Sequence, residues 1–319
     1  MLKTVKKITA LSLVLFSVNP LWAAEPDAVQ PRQLLDEMQQ AGSHLNYEIA
    51  FVQTTPNMAS LRYSHIYHNG KTYAQLLTLD GMPQQIVQRD NVVSYFQPNY
   101  SPFSINANHI VDSLPAIMWS NLDALKQNYD FTYIGRNRVA DRVVQTIRIL
   151  PKDDFRYQYV VFIDEQSHLL LRSDVLDREN NLLEQFRVVN LYQSEQFDDL
   201  LNAINHMGFP ALINDKTTFQ PSKEAFDWQP SWLPNGFKLI NRSVETNGEE
   251  RIEAQLYSDG LFSFTLYRSS SILPNEEKNG WWNGTRTFYS ETFGDNEFTL
   301  VGQLPISTAK RIVQDIKVK

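Results

Sequence analysis

No cysteine occurs anywhere in the 319 residues. That absence removes thiol catalysis, cysteine-ligated metal sites and a thioether lipid anchor. In an exported chain it also means that stability comes from core burial and not from cross-links. Long apolar runs are scarce too. The run that stands out, Ile8 to Val18, is shorter than the roughly 20 residues a membrane-spanning helix needs. Lys3, Lys6 and Lys7 precede it and Ala23 and Ala24 follow, which is the arrangement of a secretory signal peptide over residues 1–23. A soluble periplasmic chain is the expectation once that segment is removed. Positive charge is the third shortage: 29 Lys and Arg stand against 36 Asp and Glu, and the formal −7 falls to about −10 when the three leader lysines go. Nucleic acid is therefore not an expected partner, because its phosphates call for concentrated basic surface.

Catalytic signatures are missing as well. Nucleophile-elbow, zinc-protease, phosphate-loop and dinucleotide patterns do not occur. The six histidines stand at 44, 65, 68, 109, 168 and 206. His65 and His68 are three apart on an expected strand, so they point to opposite faces and cannot chelate together. The doublets Asp153-Asp154, Asp198-Asp199, Glu249-Glu250 and Glu276-Glu277 fall in turns or linkers, where solvated charge is the ordinary outcome. No enzyme, metal or cofactor is expected.

What is present is alternation. Residues 31–42 read as a short amphipathic helix through Leu34, Leu35, Met38 and Ala41. Tyr47, Ile49 and Phe51 then alternate, as do Leu61, Tyr63, His65 and Tyr67, and Asn69-Gly70 marks a tight hairpin. Asp80-Gly81 and Asp90-Asn91 mark two more turns. A helix is expected around Leu114 to Leu125, carrying Ile117, Met118, Trp119 and Leu122. Five further strands follow: Tyr129 to Ile134, Val143 to Leu150, Phe155 to Ile163, Leu169 to Leu176 and Leu182 to Leu191. Short polar turns separate them, so neighbours should be antiparallel. Together these segments predict one wide, curved antiparallel sheet over residues 24–207 with helices on its concave side. Phe197 to Met207 has the character of a brief helix. Gly208, Pro210, Asn214, Asp215 and Pro221 make 208–227 the linker. A smaller domain over 228–319 follows, with strands near Lys238 to Val244, Arg251 to Tyr257, Leu261 to Arg268, Thr285 to Ser290 and Glu297 to Gly302. A helix at Ser307 to Ile316 closes it, and Ser269 to Asn283 reads as a mobile loop.

Two aromatic strings draw attention: Trp228 to Phe237, and Tyr257 to Phe264. Large rings held between prolines and glycines describe a folded module or a docking surface. In the first domain Tyr47, Phe51, Tyr63 and Tyr95, under the helix bearing Ile117, Met118 and Leu122, are either an ordinary core or the lining of an apolar hollow that takes acyl chains. Arg136, Arg138 and Arg142 are either solvated hairpin arginines or a rim that meets lipid phosphates.

Several strings resemble the RseB/MucB family of sigma-E regulators: Leu61-Arg62-Tyr63, Ile110 to Pro115, Gly135 to Arg142, Leu183 to Val188, Tyr257 to Phe264, Val301 to Pro305 and Thr308 to Ile312. The likeness spans the mature chain and departs mainly at Glu195 to Phe226 and Ser269 to Asn283. It implies an α+β fold, with an unclosed antiparallel β-barrel similar to LolA and LolB joined to a smaller α/β domain. It also implies binding of the periplasmic part of the anti-sigma factor RseA, which shields it from the protease DegS, with release by lipopolysaccharide or a related acyl lipid. Homodimers are implied as well. Trp232, Phe237, Asp259, Phe262 and Phe264 are then the candidate partner contacts, with a hairpin turn and its core as the alternative reading for Asp259, Phe262 and Phe264. A lipid or lipoprotein carrier using the same hollow is the rival function.

Overall fold

The computed structural model describes residues 30–55, 57–111, 113–213, 220–222, 225–247, 250–270 and 278–318. The expected signal peptide lies outside them. Helix α1 (Pro31–His44) starts with Pro31 in its first turn and buries Leu34, Leu35, Met38 and Ala41 on one face. Strands β1 (Tyr47–Thr55), β2 (Asn57–His68), β3 (Lys71–Thr78), β4 (Gln85–Arg89), β5 (Val92–Phe96) and β6 (Phe103–Asn106) form a first meander. Asn69 and Gly70 both adopt positive φ, 51° and 75°, the geometry that a two-residue hairpin turn requires. Helix α2 (Leu122–Asn128) leads into a second meander of β7 (Tyr129–Val139), β8 (Arg142–Pro151), β9 (Gln158–Asp164), β10 (Leu170–Leu176) and β11 (Leu182–Gln193), followed by α3 (Asp198–His206).

The two meanders join where β1 pairs antiparallel with β11. The result is one eleven-stranded sheet in the order β6-β5-β4-β3-β2-β1-β11-β10-β9-β8-β7, unclosed because β6 and β7 remain at its edges. Alternation decides which face is covered: Leu61 and Tyr63 of β2, Leu76 of β3, Ile86 of β4 and Phe186 of β11 all enter one apolar core.

Two expectations need correction here. The single helix across Leu114 to Leu125 is divided into a 3-10 turn at Ala116–Met118 and α2. Asn121 causes the break, since its side chain accepts from the amides of Asp123 (3.1 Å) and Ala124 (3.0 Å) and starts a new helix. The helices also do not all share one face. Ile204 of α3 packs with Ile66, Tyr73 and Val87, which alternate with the core residues and so lie on the opposite side of the sheet.

The remaining elements are β12 (Gln220–Pro221), β13 (Trp228–Pro230), β14 (Lys238–Asn247), β15 (Glu250–Ser258), β16 (Ser263–Ser270), β17 (Lys278–Asn283), β18 (Arg286–Phe293), β19 (Asn296–Gly302), α4 (Ile306–Gln314) and β20 (Ile316–Val318). Seven of them make an antiparallel sheet ordered β12-β14-β15-β16-β19-β18-β17, and β13 pairs with β20. Helix α4 buries Ala309, Ile312 and Val313. Residues 278–283, expected in a loop, form edge strand β17, and residues 271–277 lie outside the described chain. Gln220–Pro221, expected in the linker, adds to β14. One apolar core runs continuously from α1 through the first sheet to α4.

Candidate functional site between the two sheets

The second sheet meets the first through the turn from β15 to β16, which is the Tyr257 to Phe264 string. Asp259 organises that turn. One carboxylate oxygen accepts the amides of Leu261 (2.9 Å) and Phe262 (2.8 Å), and the other accepts Tyr129 Oη (2.5 Å) and Arg156 Nη1 (3.1 Å) from the first sheet. Both Asp259 and Arg156 have side chains that are 0 % exposed. Arg156 is further held by Asp153 (2.6 Å) and lies over the Tyr129 ring. Burial, and then the Asp259 charge, push the Tyr129 hydroxyl well above its ordinary range, so it remains a donor. Phe262 enters between Tyr157 and Tyr159, and the Phe237 ring packs on Phe264. Gly236, at φ 92°, passes so close to Asn128 that a Cβ would collide with its amide. Thr308 of α4 donates to the Phe155 carbonyl (3.0 Å), and Trp232 meets Phe155 edge-on beneath Arg311.

The other end of the same seam is open. A cleft of about 440 Å³ lies between Gln53, Ala59, Leu61, Leu76, Thr78, Gln84, Ile86 and Glu184 of the first sheet and Arg286 and Gln303 of the second. Val111 and Ser113 complete the lining. Its floor is apolar and its rim polar. Thr285 donates to Glu184 across it (2.8 Å), and Arg286 is exposed.

The candidate lipid-lining residues are packed in this structure. Tyr47, Phe51, Tyr63, Ile117 and Leu122 are at most 3 % exposed, Tyr95 is buried, and all belong to the continuous core. Met118 is half-buried against that core. These side chains fill the space beneath α1 and α2, and the free volume lies farther along the strands, at Leu61, Leu76 and Ile86. His65 is part of the filling: its Nδ1 donates to the Leu45 carbonyl (2.8 Å), its ring stacks on Tyr47, and burial lowers its pKa to about 4.

The three arginines separate. Arg136 pairs with Glu165 and Arg138 with Asp141 at the exposed hairpin. Arg142 makes a two-pronged contact with Asp164 (2.8 and 2.7 Å), which is 1 % exposed. Burial alone would raise the Asp164 carboxyl, but Arg142 and the Ser167 hydroxyl and amide hold it below its usual range. Of the five candidate partner contacts, Trp232 keeps exposed surface, whereas Phe237, Asp259, Phe262 and Phe264 are buried. In this conformation Asp259 and Phe262 join the two sheets, and Phe237 and Phe264 pack on each other within the second domain.

Sequence reasoning missed the cleft itself. Nothing local in Gln53, Gln84, Glu184, Arg286 or Gln303 marks a cleft, because strand pairing and the seam bring them together from five separate stretches of chain. The readable hints were the resemblance strings that contain Leu61, Val111, Ser113, Glu184 and Gln303, none of which marks a cleft by itself. Sequence reasoning likewise took Asp153 as solvated, although it holds the buried Arg156.

Comparison with known proteins places both sheets. Family models match residues 30–210, as MucB/RseB N-terminal domain, and residues 222–317, as MucB/RseB C-terminal domain. A Haemophilus influenzae protein named sigma-E factor regulatory protein RseB is 53% identical, with 98% of each chain covered. The Escherichia coli K12 protein of the same name is 37% identical over 97% of this chain and 96% of its own. Among solved structures, MucB in complex with MucA(peri) superposes with a TM-score of 0.70 at 21% identity, covering 91% of this chain and 99% of that one.

Proposed function

The chain belongs to the MucB/RseB family, and on that footing we propose that it is a periplasmic negative regulator of the sigma-E envelope-stress response. It binds the periplasmic part of the anti-sigma factor RseA and shields that segment from DegS cleavage. Lipopolysaccharide or a related acyl lipid releases it. The observation that carries this reading is the 53% identity to a protein named as a sigma-E regulator over 98% of both chains. The geometry supports a binding protein over an enzyme, because the cleft joins apolar side chains such as Leu61, Leu76 and Ile86 to polar ones such as Gln53, Gln84 and Gln303, the make-up of a ligand site.

The seam supplies a mechanism. A ligand in the cleft touches Leu61, Leu76 and Ile86 on one sheet and Arg286 and Gln303 on the other, so it bears on how the sheets sit together. Release requires that the lipid prefer the partner-free arrangement, since a ligand shifts an equilibrium only by its differential affinity for the two states. RseA engages the seam near Trp232, and Asp259, Phe262, Phe264 and Phe237 act by fixing the geometry of that surface. A lipid carrier would need ready access to the hollow beneath α1 and α2, which side chains fill here. The test is protection: the purified mature chain should bind the RseA periplasmic segment and slow its cleavage by DegS, and lipopolysaccharide should restore cleavage. Unchanged cleavage with the chain in excess defeats the proposal.

A further inference from the structure

At the mouth of the cleft the first sheet carries apolar side chains that nothing in the described fold covers. Met58, at the start of β2, is 77% exposed; Met82 and Leu79, in the connection from β3 to β4, are 66% and 49% exposed. They flank the opening, because Ala59, Thr78 and Gln84, their neighbours in the chain, line it. Behind them stand two arginines on the face opposite the core. Leu61 and Tyr63 point inward on β2, so Arg62 points out, and Phe186 and Val188 fix Arg187 in the same way on β11.

Both arginines are exposed, and neither has an acidic partner among the described residues. Arg187 is also directly opposite Arg172 of β10, a like-charge pairing that costs stability on a sheet. Asp174 neutralises Arg172 at 2.6 Å, and nothing does so for Arg187. The other charges at this end are Asp80, Asp177 and Glu179 in the turns, Glu184 and Arg286 on the cleft lining, and Arg178, which is paired with Asp154 at 2.8 Å. Arg62 and Arg187 both belong to strings that carry the family resemblance, yet neither has a role in the fold.

We propose that this rim docks on an anionic lipid surface, with Met58, Leu79 and Met82 entering the boundary between headgroups and acyl chains and with Arg62 and Arg187 meeting headgroup phosphates. Two features favour lipid over a protein partner. The apolar residues come from two stretches, the start of β2 and the β3–β4 connection, and their flexible thioether and leucine side chains suit a fluid acyl boundary, whereas protein hot spots are enriched in Trp, Tyr and Arg. Guanidinium groups complement phosphate, with each cation near an anionic leaflet strengthening association about fivefold. The docking extends the lipid part of the proposed function and does not require the anti-sigma partner. It would place the cleft mouth, where the free volume begins, against the surface that supplies acyl chains.

Flotation of the full mature chain with vesicles tests it. Binding is expected to phosphatidylglycerol/phosphatidylcholine vesicles and to be at least fivefold weaker with phosphatidylcholine alone. Met58→Asp with Met82→Asp, and separately Arg62→Gln with Arg187→Gln, should each lower anionic-vesicle binding about fivefold or more. All four positions are exposed, so thermal unfolding should not move. Failure of the wild type to float, or variants that float like it, overturns the proposal. So does loss confined to the arginine variant, together with displacement by millimolar inorganic phosphate, which would mark a simple anion site. Capture of the RseA segment should be equal in wild type and both variants. If the wild type itself captures nothing, the proposed function fails and the rim does not, whereas capture lost in the methionine variant alone makes this a protein-docking face and overturns the lipid assignment.

Discussion

At its two ends, the seam between the two sheets is built in opposite ways from different strands of those sheets. At one end Asp259 accepts four hydrogen bonds, Arg156 is fully buried, and Phe262 sits between two tyrosines, so these groups are spent on holding the sheets together. At the other, Gln53, Gln84, Gln303 and Arg286 surround about 440 Å³ of open volume, which Thr285 spans by donating to Glu184. A saturated end resists separation, and an open end lets a ligand bear on both sheets. Under the proposed function, the first end anchors the two sheets and the second is where a ligand acts.

The largest effect should come from the anchored end. Asp259→Ala leaves Arg156 with Asp153 alone and frees two turn amides, and Phe262→Ala empties the space between Tyr157 and Tyr159. Each should cost about 3–5 kcal/mol in urea or guanidinium unfolding. Losses under about 1 kcal/mol would mean that this end does not anchor. A second effect distinguishes the filled interior from a solvated hollow. His65 titrates near 4 in the folded chain against about 6.5 when unfolded. Between those values the unfolded chain binds more protons, so stability rises with pH across that window. From pH 7.5 to pH 5 the His65 contribution should fall by about 2 kcal/mol, and His65→Phe should flatten the profile. No slope from this residue would mean that water reaches it.

Smaller effects sharpen the contrast further. Arg142→Gln strips the partner from buried Asp164 and should cost about 1–2 kcal/mol, whereas Arg136→Gln, at the exposed hairpin, should cost under about 0.5 kcal/mol. At the open end Arg286→Gln should also leave stability within about 0.5 kcal/mol, yet shift the lipid concentration needed to release RseA. If Arg286→Gln unfolds the chain instead, the open end is structural and the division fails.

Much of the fold could be read from alternation. Leu61, Tyr63 and His65 lie on one strand face as spaced, and Asn69-Gly70 makes its turn, because these signals are local. The division at Asn121 was missed because a cap and a mid-helix asparagine look alike until the chain around them turns. Trp281 and Trp282 were read as part of a loop although they lie in β17, whose existence depends on pairing with β18. The site was harder still. The Tyr257 to Phe264 string is conspicuous in sequence because its rings are large, but they are large in order to fill the seam. The cleft residues are ordinary glutamines and one arginine whose meaning arises only when two sheets face each other.

The central claim is that a seam closed at one end and open at the other holds RseA and responds to lipid. Its most direct test is DegS cleavage of the RseA periplasmic segment, with the wild-type chain in excess, followed with and without lipopolysaccharide. Slow cleavage that lipopolysaccharide restores is the predicted result. Cleavage at the same rate with and without the chain would contradict the account.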